Sequence, residues 1–165
     1  MTTNPLLTYL RDHLAGARGA LELLEYLRDH APDQEIRTAA DNFHSEIAAD
    51  REVLEQLTLQ LGGGPSVLKG FSAWLTEKLS RLKLGSVGET VDLPLLEAVE
   101  ALALGILGKV ALWDALIAIA REDRSLPRLD YYSLRARAQH QHDRMELHRL
   151  RLATLVLSSD TVATN

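Results

Sequence analysis

The chain has 165 residues, with 18 Lys and Arg against 23 Asp and Glu, for a net charge of −5 and no cysteine. That length suits one domain, able to bury roughly 68–70% of its unfolded surface without staples. The missing cysteines exclude disulfides, thiolate metal sites and Cys nucleophiles, and the mild acidity without a polybasic run argues against nucleic acid and membrane partners.

The opening Met-Thr-Thr-Asn-Pro-Leu-Leu has no basic n-region and no cleavage site, so a cytoplasmic protein is expected. Four long segments then repeat apolar residues at spacings of three and four, the pattern of helices packed in a bundle. The first spans about Pro5 to His30, with Leu7, Leu10, Leu14, Ala17, Leu21 and Leu24 in its seam. The second spans about Asp33 to Leu61, with Ile36, Ala40, Phe43, Ile47, Leu54, Leu57 and Leu61. Pro32 suits its first turn, and Gly62, Gly63 and Gly64 stop it. The third runs about Pro94 to Ala120 and the fourth about Asp130 to Leu157. Each short-linked pair should form an antiparallel hairpin.

Between the hairpins, Gly62 to Leu93 is too long for a turn. Its own period, through Val67, Phe71, Trp74 or Leu75, Leu79 and Leu82, predicts a further helix over 66–84. At ~1.5 Å per residue that helix would span the bundle and form one long crossover. Residues 1–157 thus make the bundle, and the polar stretch 158–165 is expected to be a disordered tail.

The third helix is almost wholly apolar from Ala101 to Ala120, but Lys109 and Asp114 interrupt it. Each would cost ~2.5–3.5 kcal/mol near a bilayer centre, so a covered core helix is expected rather than a span. Leu104, Leu107, Ala111 and Leu112 lie off its seam, so the crossover helix or a second copy should cover its back.

Four polar residues occupy inward positions, one per helix: His13, Asp50, Lys109 and Gln141. With the first and fourth helices running one way and the second and third the other, their heights agree within a few ångströms at ~1.5 Å per residue. A lone buried charge is too costly to keep, so Asp50 and Lys109 are expected to pair, with His13 and Gln141 completing the layer. Such a layer either fixes helix register or lines a ligand pocket. Arg135, Arg137, Arg144, Arg149 and Arg151, interrupted by Asp143 and Glu146, read as a solvated face.

The runs Leu10-Arg11-Asp12-His13-Leu14-Ala15-Gly16-Ala17 and Leu104-Gly105-Ile106-Leu107-Gly108-Lys109, within this architecture, resemble the ferritin-like superfamily. The likeness is to a bacterial group of small four-helix proteins that lack the Glu-x-x-His motifs, and it covers most of the chain. Active members of the superfamily hold two metals with a Glu from each of two helices and a Glu-x-x-His from each of the others. This chain has no Glu-x-x-His, so a di-iron centre is not expected, and Lys109 would stand where a dication sits, balancing Asp50.

The leading expectation is therefore an all-α ferritin-like four-helix bundle, favoured without cofactor, acting as a scaffold or small-ligand-binding protein. Its rival is a metal-dependent oxidoreductase or iron-handling protein holding iron or manganese through His13, Glu46, Asp50 and His148. A third reading is a helical module that dimerises through off-seam leucines. A homodimer is the expected assembly, with a small molecule as the ligand.

Overall fold

The structure, a computed structural model, describes residues 4–64, 80, 93–123 and 125–158. Among the described residues four helices are delimited: α1 (Pro5–His30), α2 (Gln34–Gln60), α3 (Leu93–Glu122) and α4 (Tyr131–Leu157). No strand occurs among the described residues, and the fold is an all-α four-helix bundle. Apart from Ser80, the expected crossover helix lies outside the described residues, as do 159–165 of the expected tail.

The helix ends are fixed by local chemistry. Asn4 caps α1, its Oδ1 accepting the Leu6 N–H at 3.0 Å, with Pro5 in the first turn. Asp33 rather than Pro32 starts α2; its carboxylate accepts from Glu35 N at 2.8 Å and Ile36 N at 3.2 Å. Pro32 therefore sits ahead of the cap and not in the helix. A proline lacks the side-chain oxygen that satisfies these free N–H groups, a contribution of about 1 kcal/mol. Asp130 caps α4 in the same way through Ser133 N at 2.9 Å.

The end of α2 is a Schellman motif. Gly62 takes φ +81°, its N–H donates to the Leu59 carbonyl at 3.0 Å, and the Gly63 N–H donates to Thr58 at 2.9 Å. The left-handed residue turns the chain so that both freed carbonyls are capped.

The core divides into two apolar clusters. One gathers Leu24 and Leu27 of α1, Ile36, Phe43 and Ile47 of α2, Leu96, Val99 and Ile106 of α3, and Met145 and Leu152 of α4. The other gathers Leu10 and Leu14 of α1, Leu54 and Leu57 of α2, Val110, Trp113 and Leu116 of α3, and Tyr131 and Ala138 of α4. Late residues of α1 and α4 thus meet early residues of α2 and α3, so α1 and α4 run one way and α2 and α3 the other.

By length and composition alone, α3 could cross a membrane: an 18-residue window has a mean hydropathy of 1.9. In the bundle, its buried residues include Leu95, Leu102, Leu112 and Trp113. Leu112 belongs to the core, contrary to its expected off-seam place, because α3 is covered on more than one face. Leu104 and Leu107 remain exposed at 56% and 44%. Leu155 of α4 is 47% exposed.

Candidate functional site

At the boundary between the clusters the apolar seams are interrupted on three helices. Asp50 lies between Ile47 and Leu54, Lys109 between Ile106 and Val110, and Gln141 between Ala138 and Met145. Asp50 is 4% exposed and Gln141 is fully buried. The Lys109 ammonium donates to Asp50 Oδ2 and to Gln141 Oε1. These three of the four expected residues form one hydrogen-bonded group.

The other oxygen of Asp50 pairs with Arg137, whose side chain is 46% exposed. The solvated-face reading of Arg137 is thereby corrected. Its long apolar stem carries the guanidinium inward from a helix position that faces water. Burial pushes the Lys109 amine below its ordinary value; Asp50 opposes that shift and the Arg137 charge adds to it. Among the described residues the Gln141 Nε2 has no hydrogen-bond partner. Exchanging its nitrogen and oxygen would turn N–H groups on the ammonium, so Lys109 dictates this orientation.

More of the arginine face proves to be paired. Along α4, Arg144 binds Glu46 at 2.8 Å, His148 binds Glu35 at 3.1 Å and Arg151 binds the Asp33 cap at 2.7 Å. With Arg137–Asp50 these contacts form a ladder joining α4 to the antiparallel α2. The remaining two pair differently, Arg135 with Asp114 at 3.2 Å and Arg149 with Glu146 at 2.5 Å. Spacings of seven from Arg137 to Arg144 to Arg151 place three cations on one helix face, a signal readable without coordinates.

His13 lies elsewhere. Its ring meets Tyr9 edge-on at 4.7 Å, and burial lowers its pKa against a smaller opposing effect of Asp12. Instead of bonding to the layer, it shares with Asp50 and Lys109 the wall of a cavity of about 500 Å³. Ala17 and Ala20 of α1, Ile47 and Leu54 of α2, and Leu102, Leu112 and Trp113 of α3 supply apolar wall, while Tyr9, Asp12 and Arg51 add polar groups. The volume lies within the ~300–1,000 Å³ typical of small-molecule sites.

Gly105 and Gly108 also line the cavity, and a Cβ on either would meet nothing within 4 Å. Mid-helix glycine costs roughly 0.5–1 kcal/mol relative to alanine. Here both glycines leave space that a side chain could fill.

The donor set expected for iron or manganese does not fit the geometry. Glu46 is taken by Arg144, His148 by Glu35, and both Asp50 oxygens by cations. Among the described residues no three His, Asp or Glu side chains converge on a point where an ion could sit. His13, Glu46, Asp50 and His148 therefore do not form one site. The chain matches no protein-family model, no curated protein and no solved structure, so its function has to be read from the polar layer and the cavity beside it.

Proposed function

We propose that this protein is a cytoplasmic ferritin-like bundle without a di-iron centre that binds a small, mainly apolar ligand. The helix directions support the ferritin-like reading, and the cavity beside the Asp50–Lys109 pair supports the binding role. One observation carries the reading: a cavity of about 500 Å³, walled by aliphatic side chains and glycines, has a buried ion pair in its lining. Apolar walls supply affinity, and a few fixed polar groups supply orientation.

The test is to fill the cavity from a position that tolerates it. Gly105→Leu should place a side chain in open space and raise helix propensity, leaving the fold at least as stable. Binding of an apolar probe, followed through Trp113 fluorescence in a Trp74→Phe background, should be lost when Gly105→Leu is added. Elemental analysis of chain purified without chelator tests the oxidoreductase rival. Near-stoichiometric iron or manganese, lost on Asp50→Ala, would replace the ligand-binding reading.

The exposure of Leu104 and Leu107 supports a second role, self-association through the outer face of α3. Leu107→Glu should then convert a dimer to a monomer in sedimentation velocity while Lys109→Met leaves the dimer intact. A monomeric parent chain would end that reading.

A further inference from the structure

We infer that the cavity takes a single-chain amphiphile with an anionic head, its carboxylate meeting Lys109 and its tail lying along the aliphatic wall. This assignment rests on the ligand-binding reading above and adds the chemical class.

The donors of the buried ammonium point that way. Among the described residues Asp50 is the only carboxylate bonded to Lys109, and it is shared with Arg137. The next carboxylate, Glu46, is occupied by Arg144 at 2.8 Å. Arg137 is 46% exposed and shares its charge with water, so the buried part of the layer is the Asp50 carboxylate with the Lys109 ammonium. A buried donor left without an acceptor is unfavourable unless something satisfies it. An ammonium has three protons, and Lys109 spends two, on Asp50 and Gln141. Among the described residues the third has no acceptor, and Lys109 lines the cavity in which a ligand would supply one.

The other charged groups in the lining do not cancel this. Asp12 is exposed to water, where its field is screened. Arg51 is paired with Glu55 at 3.8 Å. His13, with its pKa lowered by burial, leans toward the neutral form. A cationic head would meet the Lys109 ammonium, and a wholly polar ligand would leave the wall of Ala17, Ile47, Leu102 and Trp113 unmatched. An apolar chain ending in a carboxylate satisfies both parts.

The full chain carrying Trp74→Phe, which leaves Trp113 as sole reporter of the two tryptophans, is titrated below micellar concentrations with three probes. They are dodecanoate, dodecanol and dodecyltrimethylammonium. Dodecanoate should bind roughly tenfold or more tightly than dodecanol, as a charge-assisted contact in a buried site warrants. Dodecyltrimethylammonium should bind most weakly. Lys109→Met, and the more conservative Lys109→Gln if Met unfolds, should bring dodecanoate and dodecanol together, while Gly105→Leu should abolish binding of both.

Equal affinity for dodecanoate and dodecanol in the parent chain, with both lost in Gly105→Leu, would overturn the anionic assignment and keep the ligand-binding reading. No binding of any probe, or binding indifferent to Gly105→Leu, would overturn both, as expected if another part of the chain fills the cavity.

Discussion

Arg137 holds one oxygen of Asp50 from a half-exposed position while Lys109 holds the other from the buried side. The carboxylate therefore bridges α3 and α4 through two cations with different access to water. A double-mutant cycle of Arg137→Ala with Asp50→Asn, read by urea unfolding, should give a coupling of about 1 kcal/mol. That lies at the upper end for exposed pairs, because only one partner of the pair is solvated. A coupling indistinguishable from zero would leave Arg137 an ordinary surface residue.

The same arrangement makes the two halves of the buried pair unequal. Asp50→Ala strands the buried Lys109 ammonium and should cost roughly 3–5 kcal/mol, the range for breaking a buried pair. Lys109→Met leaves Asp50 with Arg137 and should cost less, about 1–3 kcal/mol, mainly from orphaned acceptors. Asp50→Leu combined with Lys109→Met should recover part of the Asp50→Ala loss. Equal single-mutant costs in chemical denaturation would contradict this asymmetry.

His13 should make the fold sensitive to mild acid. Its folded pKa is lowered by burial, so the unfolded chain takes up the proton first as pH falls. Stability is then full above the unfolded value and declines as pH drops through it toward the folded one. The slope has a ceiling of about 1.4 kcal/mol per pH unit for one group. Asp33 and Glu146, whose folded pKa values are lowered, act only in more acid solution. Unfolding free energy measured from pH 7.5 to 5 should slope downward in the parent chain and more shallowly in His13→Gln. An unchanged slope would remove His13 as its source.

Three adjacent glycines should respond differently to alanine. Gly62 has φ +81°, and Gly62→Ala should cost about 1–2 kcal/mol because a Cβ is strained there. At Gly63 a Cβ would lie 2.6 Å from Thr58 Cγ2 and 2.7 Å from its carbonyl oxygen, so Gly63→Ala should also destabilise. Gly64 has nothing within 4 Å, and Gly64→Ala should be neutral or stabilising by a few tenths of a kcal/mol through the unfolded chain. Thermal unfolding of the three variants separates these outcomes.

Much of the bundle is legible in its seams: every seam residue assigned to the second helix from Ile36 to Leu57 is buried. Asp50, Lys109 and Gln141 stand out because a polar residue in a 3.6-residue seam has to be satisfied within the core. Arg137 escapes the same logic because helical phase locates the Cα, whereas the charge sits at the end of a long flexible stem. Glu46 and His148 fail as ligands for a related reason, since their heights and phases carry no information about the arginine and carboxylate that occupy them. His13 faces inward but into a cavity, and empty space has no signature in a periodic pattern. Asp33 displaces Pro32 at the start of α2 because a cap depends on one side-chain oxygen rather than on helical preference.

The two apolar clusters meet at a polar boundary, yet all four helices pass through that boundary without a break. Releasing one half alone would require fraying four helices at mid-length and wetting Asp50, Lys109 and Gln141 together. Backbone continuity thus ties halves whose side-chain cores are separate. The slowest-exchanging amides should then bracket the boundary on all four helices, with protection fading toward both ends of the bundle.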